Sequence, residues 1–179
     1  MKLIKIALIL FISISTSMAK DLLIVDTSGS LSANEKEVRS VTHKYLQTNQ
    51  DVLAFADQPY FIKDESELEF GGGTALSLAL ERVKTLDVDY LTIISDGVPN
   101  NEEEAIRIAK TLKDTGIKIC GIYISDTLTV PDTFKIIADR TFAINEIHKA
   151  LEYCDDSVRE ELLGTQAQHK VVDGDKYVF

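Results

Sequence analysis

The stretch Leu22-Leu23-Ile24-Val25-Asp26-Thr27-Ser28-Gly29-Ser30 decides how the chain is read. Four apolar residues in a row have the character of a strand buried on both faces, as in a parallel sheet. The run ends in an aspartate, and two hydroxyls follow at spacings of two. In a chain still near-extended, residues i, i+2 and i+4 point the same way. Asp26, Ser28 and Ser30 are therefore expected to converge beyond the C-terminal end of the strand. In an open parallel sheet that edge is where ligands sit. Three hard oxygens at one point suit a hard cation such as Mg²⁺ better than a soft one.

Two later segments can complete the cluster. Gly71-Gly72-Gly73-Thr74-Ala75 offers a hydroxyl behind a run of glycines, whose backbone can approach a ligand closely. Tyr90 to Ser95 is a second apolar strand, and it ends in Asp96-Gly97. Read alone, Thr74 ahead of a helix is also ordinary N-cap chemistry, and that alternative stays open on the residues themselves.

Taken in order, Asp-x-Ser-x-Ser, a Thr behind a glycine loop and Ser95-Asp96-Gly97 resemble the von Willebrand factor A family and its metal-ion-dependent adhesion site. Three separated elements agree in order and type, and the resemblance spans roughly residues 21–164. It implies an α/β fold: a doubly wound, mostly parallel, Rossmann-like sheet with one antiparallel edge strand and helices on both faces. It implies Asp26, Ser28, Ser30, Thr74 and Asp96 as the metal set. The hydroxyls would bind the ion directly, and the aspartates directly, through water or as hydrogen-bond partners. Mg²⁺ is the expected cation, with Mn²⁺ or Ca²⁺ as alternatives. A site with few direct anions leaves the ion's charge under-compensated, so the resemblance implies a protein partner that donates a carboxylate.

Residues 1–19 read as a separate object. Lys2 and Lys5 precede an apolar core from Ile6 to Ile14, and Ser17-Met18-Ala19 is a small-x-small cleavage site. This is the pattern of a secretory signal peptide, too short to span a bilayer comfortably; the competing reading is an uncleaved anchor. The expectation is an exported, periplasmic or secreted protein with a domain over 20–164 and a tail over 165–179. The net charge of −10 becomes −12 once the two signal lysines are gone. Such an acidic surface argues against nucleic acid and against an anionic membrane as partners.

The rest of the chain alternates strands and helices, which favours a parallel-dominated sheet. The apolar content of residues 21–25 implies a central strand. Ser32-x-x-Glu35 is a capping-box signature ahead of a helix carrying Val38, Val41, Tyr45 and Leu46 on one stripe, with His43 on the surface. Residues 51–56 and 60–63 flank Asp57-Gln58-Pro59 as a hairpin. Residues 64–70 form an acidic loop, and the next helix turns Leu76, Leu80 and Val83 inward. Asn101-x-x-Glu104 is a second capping box, Thr115-Gly116 ends its helix, residues 117–124 form a strand, Pro131 opens a short helix, and residues 141–144 form the last strand. Asn145 then caps a long helix with Ile147, Leu151, Cys154, Val158 and Leu162 at helical spacing, stopped by Gly164; His148 is its solvated residue. The tail is a small hairpin around Asp173-Gly174 or a disordered end. The two cysteines, Cys120 and Cys154, read as separate core thiols, with a bridge between them as the alternative.

No serine-nucleophile elbow, Cys–His pair, phosphate loop or zinc spacing occurs, so no catalytic residue is assigned. Two other readings compete. A haloacid-dehalogenase-like phosphatase would use Asp26 as nucleophile, but it needs a second aspartate two residues on, where this chain has Ser28. Alternatively, a domain of this fold binds partners independently of metal.

Overall fold

The computed structural model describes residues 20–48, 50–124, 129–143, 146 and 149. Six strands form one sheet: β1 (Asp21–Asp26), β2 (Asp51–Phe55), β3 (Pro59–Ile62), β4 (Tyr90–Ser95), β5 (Lys118–Tyr123) and β6 (Arg140–Ala143). Their spatial order is β3-β2-β1-β4-β5-β6. All neighbours are parallel except β2 and β3, the hairpin at the edge. This is the doubly wound sheet with one antiparallel edge strand that the sequence implies.

The apolar run of β1 explains its place near the middle. Leu22 and Ile24 pack on one face against α2 (Leu76–Val83), α3 (Glu102–Asp114) and α4 (Asp132–Ile137). Leu23 and Val25 pack on the other against Val38, Val41 and Tyr45 of α1 (Glu35–Gln47). A strand with apolar side chains on both faces gains about 2 kcal/mol for each one buried, and only a central position buries them all. Tyr45 also donates from its hydroxyl to Thr92 Oγ1 at 3.1 Å, tying α1 to β4. Gly121 lets α4 press on β5: a Cβ there would stand 2.6 Å from the Phe134 ring.

The chain leaves β1 toward β2 on one side and β4 toward β5 on the other. The crevice between the C-terminal ends of β1 and β4 is therefore the topological switch point, where ligands of such sheets bind.

Two local expectations are corrected, and one alternative left open on the residues is closed. Residues Gly29–Asn34 form a short 3₁₀ turn, and α1 starts at Glu35 behind Asn34, so Ser32 caps nothing and is exposed. The turn exists because Leu31 must reach the core, fully buried, within three residues of Ser28. Thr74 is not a helix cap either: α2 begins at Leu76 with Ala75 in the cap position. Cys120 is disulfide-bonded rather than a free core thiol. Cys154, the signal segment 1–19, the final helix with His148, and the tail lie outside the described residues. Among the described residues no helix is long and apolar enough to cross a membrane.

Candidate metal centre

β1 delivers Asp26 to the switch point as its last residue, fully buried. One carboxylate oxygen, Oδ1, accepts from the Ser28 backbone N–H at 2.8 Å, a side-chain-capped turn. The other, Oδ2, accepts from Ser95 Oγ at 2.5 Å. β4 thus contributes two residues: Ser95 reaches sideways to Asp26, and Asp96 stands just beyond the strand end.

Ser28 is extended (φ −58°, ψ 160°), and the 3₁₀ turn starts directly after it. Ser30 consequently folds back over Ser28 rather than continuing an extended strand. The convergence expected from i, i+2, i+4 spacing is present, but the turn produces it. Ser28 Oγ and Ser30 Oγ lie 3.0 Å apart, and Ser30 Oγ donates to Asp96 Oδ1 at 3.1 Å. Ser28 is buried and Ser30 exposed, so the row climbs from the interior to solvent.

Thr74 is brought alongside by its loop. Gly71 N–H donates to the Thr27 carbonyl at 2.9 Å, and Gly29 N–H to the Gly72 carbonyl at 3.3 Å. These bonds lash the glycine loop to the Asp26–Ser30 turn. On its other side the Asn100 N–H donates to the Thr74 carbonyl at 3.0 Å, joining it to the Asp96 loop. Thr74 Oγ1 lies 3.9 Å from the point where a Cβ on Gly97 would stand. All five residues singled out by sequence therefore belong to three adjoining segments at one end of the sheet.

The electrostatics are those of two carboxyls partly or wholly withdrawn from solvent. Burial pushes the Asp26 carboxyl up to about 6 against its hydrogen bonds from Ser95 and Ser28, and the nearby Asp96 charge adds to the rise. Burial also raises Asp96, against the bond from Ser30. Among the described residues neither aspartate has a lysine or arginine beside it. Hydroxyls with two carboxylates and no local cation fit a hard divalent ion, whose charge would offset the burial that disfavours the ionised form of both carboxylates. Among the described residues no group of three or more His, Cys, Asp and Glu gathers to hold a metal, so the hydroxyls carry the donor set here. Asp26, with no exposed surface and both oxygens engaged, is badly placed to serve as a phosphatase nucleophile.

The sequence places Ser95 in the Ser95-Asp96-Gly97 motif but assigns it no role; the structure shows it bonded to Asp26. Sequence reading passed over Asp57 and Asn100. Asp57 Oδ1 accepts from Gly73 N–H at 2.9 Å, and Asn100 Oδ1 from Thr74 N–H at 3.3 Å.

The sheet order, the antiparallel edge and the switch-point site define the fold as that of a von Willebrand factor A domain. Solved structures agree. Proximal thread matrix protein 1 from the mussel byssus aligns at 17% identity with a TM-score of 0.59, over 75% of this chain and 44% of that one. The chain thus spans under half the length of that protein. A further structure of the mussel protein has a zinc-occupied MIDAS motif, with a TM-score of 0.57. Manganese-loaded TRAP protein of Plasmodium vivax aligns at 16% identity, with a TM-score of 0.57, over 74% of this chain and 72% of that one. The SpRpn10 VWA domain aligns at 11% identity and a TM-score of 0.55, over 70% and 87%. At these identities the fold is what is shared. No protein-family model and no curated protein matches the chain.

Proposed function

We propose that the chain is an exported binding module, not an enzyme, that recognises a protein partner through a divalent cation held by Asp26, Ser28, Ser30, Thr74 and Asp96. The observation that carries this reading is the hydroxyl row from Ser28 through Ser30 to Asp96, standing over a buried carboxylate whose two oxygens are already taken. Ser28, Ser30 and Thr74 hold the ion directly in this reading. Asp26 orients Ser28 from below, and Asp96 balances charge at the rim. The bound ion, Mg²⁺ by preference with Mn²⁺ or Ca²⁺ as alternatives, supplies a positive point that a partner's carboxylate completes. Val98, 45% exposed on the Asp96 loop, offers that partner an apolar contact beside the charge.

Residues 1–19 direct export in this reading, and 20–164 form the binding domain, placing it in a periplasm or an extracellular space. Support for the metal comes from neighbours of the same fold, whose structures carry manganese or a zinc-occupied MIDAS motif. Titration calorimetry with Mg²⁺ and Mn²⁺, on wild type and on an Asp26→Ala, Ser28→Ala double variant, tests the site. The variant should lose binding; unchanged affinity would remove the site. A pull-down from the native envelope with Mg²⁺ or with chelator then tests the partner. Capture that is indifferent to chelator would favour metal-independent recognition instead.

A further inference from the structure

The glycine run Gly71-Gly72-Gly73 has a use other than bringing backbone close to a ligand. Gly72 has a φ of +74°, and a Cβ on it would stand 2.5 Å from Asp57 Oδ2. A Cβ on Gly73 would stand 2.6 Å from Asn100 Nδ2 and 3.1 Å from Asp57 Oδ1. The space a side chain would fill at both positions is thus taken by two polar side chains from other loops. Both turn an acceptor onto the amides that follow: Asp57 Oδ1 onto Gly73 N–H, and Asn100 Oδ1 onto Thr74 N–H. Asn100 closes the exchange by donating its own N–H to the Thr74 carbonyl. Ala75 N–H goes to the Ala56 carbonyl at 2.8 Å, one residue before Asp57.

Thr74 is therefore gripped from two sides. The β2–β3 turn holds the preceding residue, Gly73, through Asp57, and the β4–α3 loop holds Thr74 itself through Asn100. The next residue, Asn101, does a different job: its Oδ1 accepts from Glu104 N–H and caps α3. The paired asparagines divide the work, one fastening the Thr74 loop and one starting the helix.

We propose that Asp57 and Asn100 are positioning residues that set the place of the Thr74 hydroxyl relative to Ser28, Ser30 and Asp96, and through it the affinity for the cation. This rests on the metal reading given above. Neither residue need touch the ion. The effect is geometric, because a hydroxyl that wanders is a poor ligand for an ion demanding near-ideal coordination.

The test is a set of variants titrated with Mn²⁺ by calorimetry, with amide hydrogen exchange followed at Gly73 and Thr74 in chelator. Asp57→Ala and Asn100→Ala should each weaken binding about fivefold, the worth of one hydrogen bond. They should also speed exchange at those two amides, while the urea midpoint in chelator moves little. Asp57→Asn keeps the acceptor and loses the charge, so it should recover most of the affinity lost in Asp57→Ala. Gly73→Ala requires no forbidden backbone angle but drives a methyl into Asn100, and it should weaken binding with the fold intact. Wild type that binds Mn²⁺ while both alanine variants bind equally well would overturn the inference alone. Asp57→Asn no better than Asp57→Ala would also overturn it, since charge rather than position would then be at work. Wild type that takes up no Mn²⁺ would overturn the metal reading beneath it.

Discussion

Replacing Asp26 by asparagine should stabilise the cation-free protein at neutral pH and abolish its response to cations. The buried carboxyl titrates at about 6 rather than its ordinary 3.8. Two units of difference at 1.36 kcal/mol each put the cost of holding Asp26 ionised near pH 7 at about 3 kcal/mol. Asparagine keeps an acceptor for the Ser28 N–H, but Ser95 must turn its hydroxyl round to accept from the new amide, which gives back about 1 kcal/mol. The net gain of about 2 kcal/mol corresponds to a melting point higher by about 4–8 °C.

The pH dependence has a definite sign. Between about pH 4 and pH 6 the folded wild type keeps a proton that the unfolded chain releases, so wild-type stability falls as pH rises through that window. The advantage of Asp26→Asn should open across the same window and level off above it. Saturating Mg²⁺ should reverse the order, since wild type at a hundred times its dissociation constant gains about 2.7 kcal/mol and the variant nothing. Urea unfolding of both proteins from pH 4 to 8, in chelator and in Mg²⁺, measures every part of this. An Asp26→Asn protein less stable than wild type in chelator at pH 7.5, by a margin that does not change with pH, would refute the reasoning.

The same carboxyl makes cation binding compete with protons. The Mg²⁺ dissociation constant should rise about tenfold between pH 7.5 and pH 5, and a flat profile by calorimetry would contradict a role for Asp26 in the site. Arg39 is the fastener of the acidic segment that leads into the glycine loop. It donates to the Glu65 and Leu68 carbonyls and to Glu35, and stacks over Phe70 at 5.3 Å. Arg39→Ala should cost about 2 kcal/mol in urea unfolding and speed amide exchange across residues 65–70. Gly121→Ala should cost about 1–3 kcal/mol without altering cation affinity, because its methyl meets Phe134 far from the site. An unchanged urea midpoint would mean that α4 can shift away from β5 freely.

Much of the fold was legible because β1, β4 and β5 are apolar on both faces, and only a covered parallel sheet accommodates such strands. Asn101 and Gly116 punctuated α3 as expected, the first by its bond to Glu104 and the second by its φ of +100°. Local rules failed where the site overrides them. Ser32-x-x-Glu35 has the form of a capping box, but the Ser28–Ser30 turn consumes those residues in a 3₁₀ segment. Thr74 has the form of a cap, but α2 starts one residue later, behind Ala75, and Asn100, more than twenty residues away, binds the Thr74 amide. The oxygens of the site were visible because their spacing and strand-end positions are local properties. The supporting contacts of Ser95, Asp57 and Asn100 were not, because each acts across a gap that only the folded sheet closes.

The most direct examination of the metal claim is anomalous diffraction from crystals grown with Mn²⁺. The account predicts one anomalous peak at the C-terminal ends of β1 and β4, within bonding distance of the Ser28, Ser30 and Thr74 hydroxyls. No peak there at saturating Mn²⁺, or one that persists when Ser30 and Thr74 are both alanine, would contradict it.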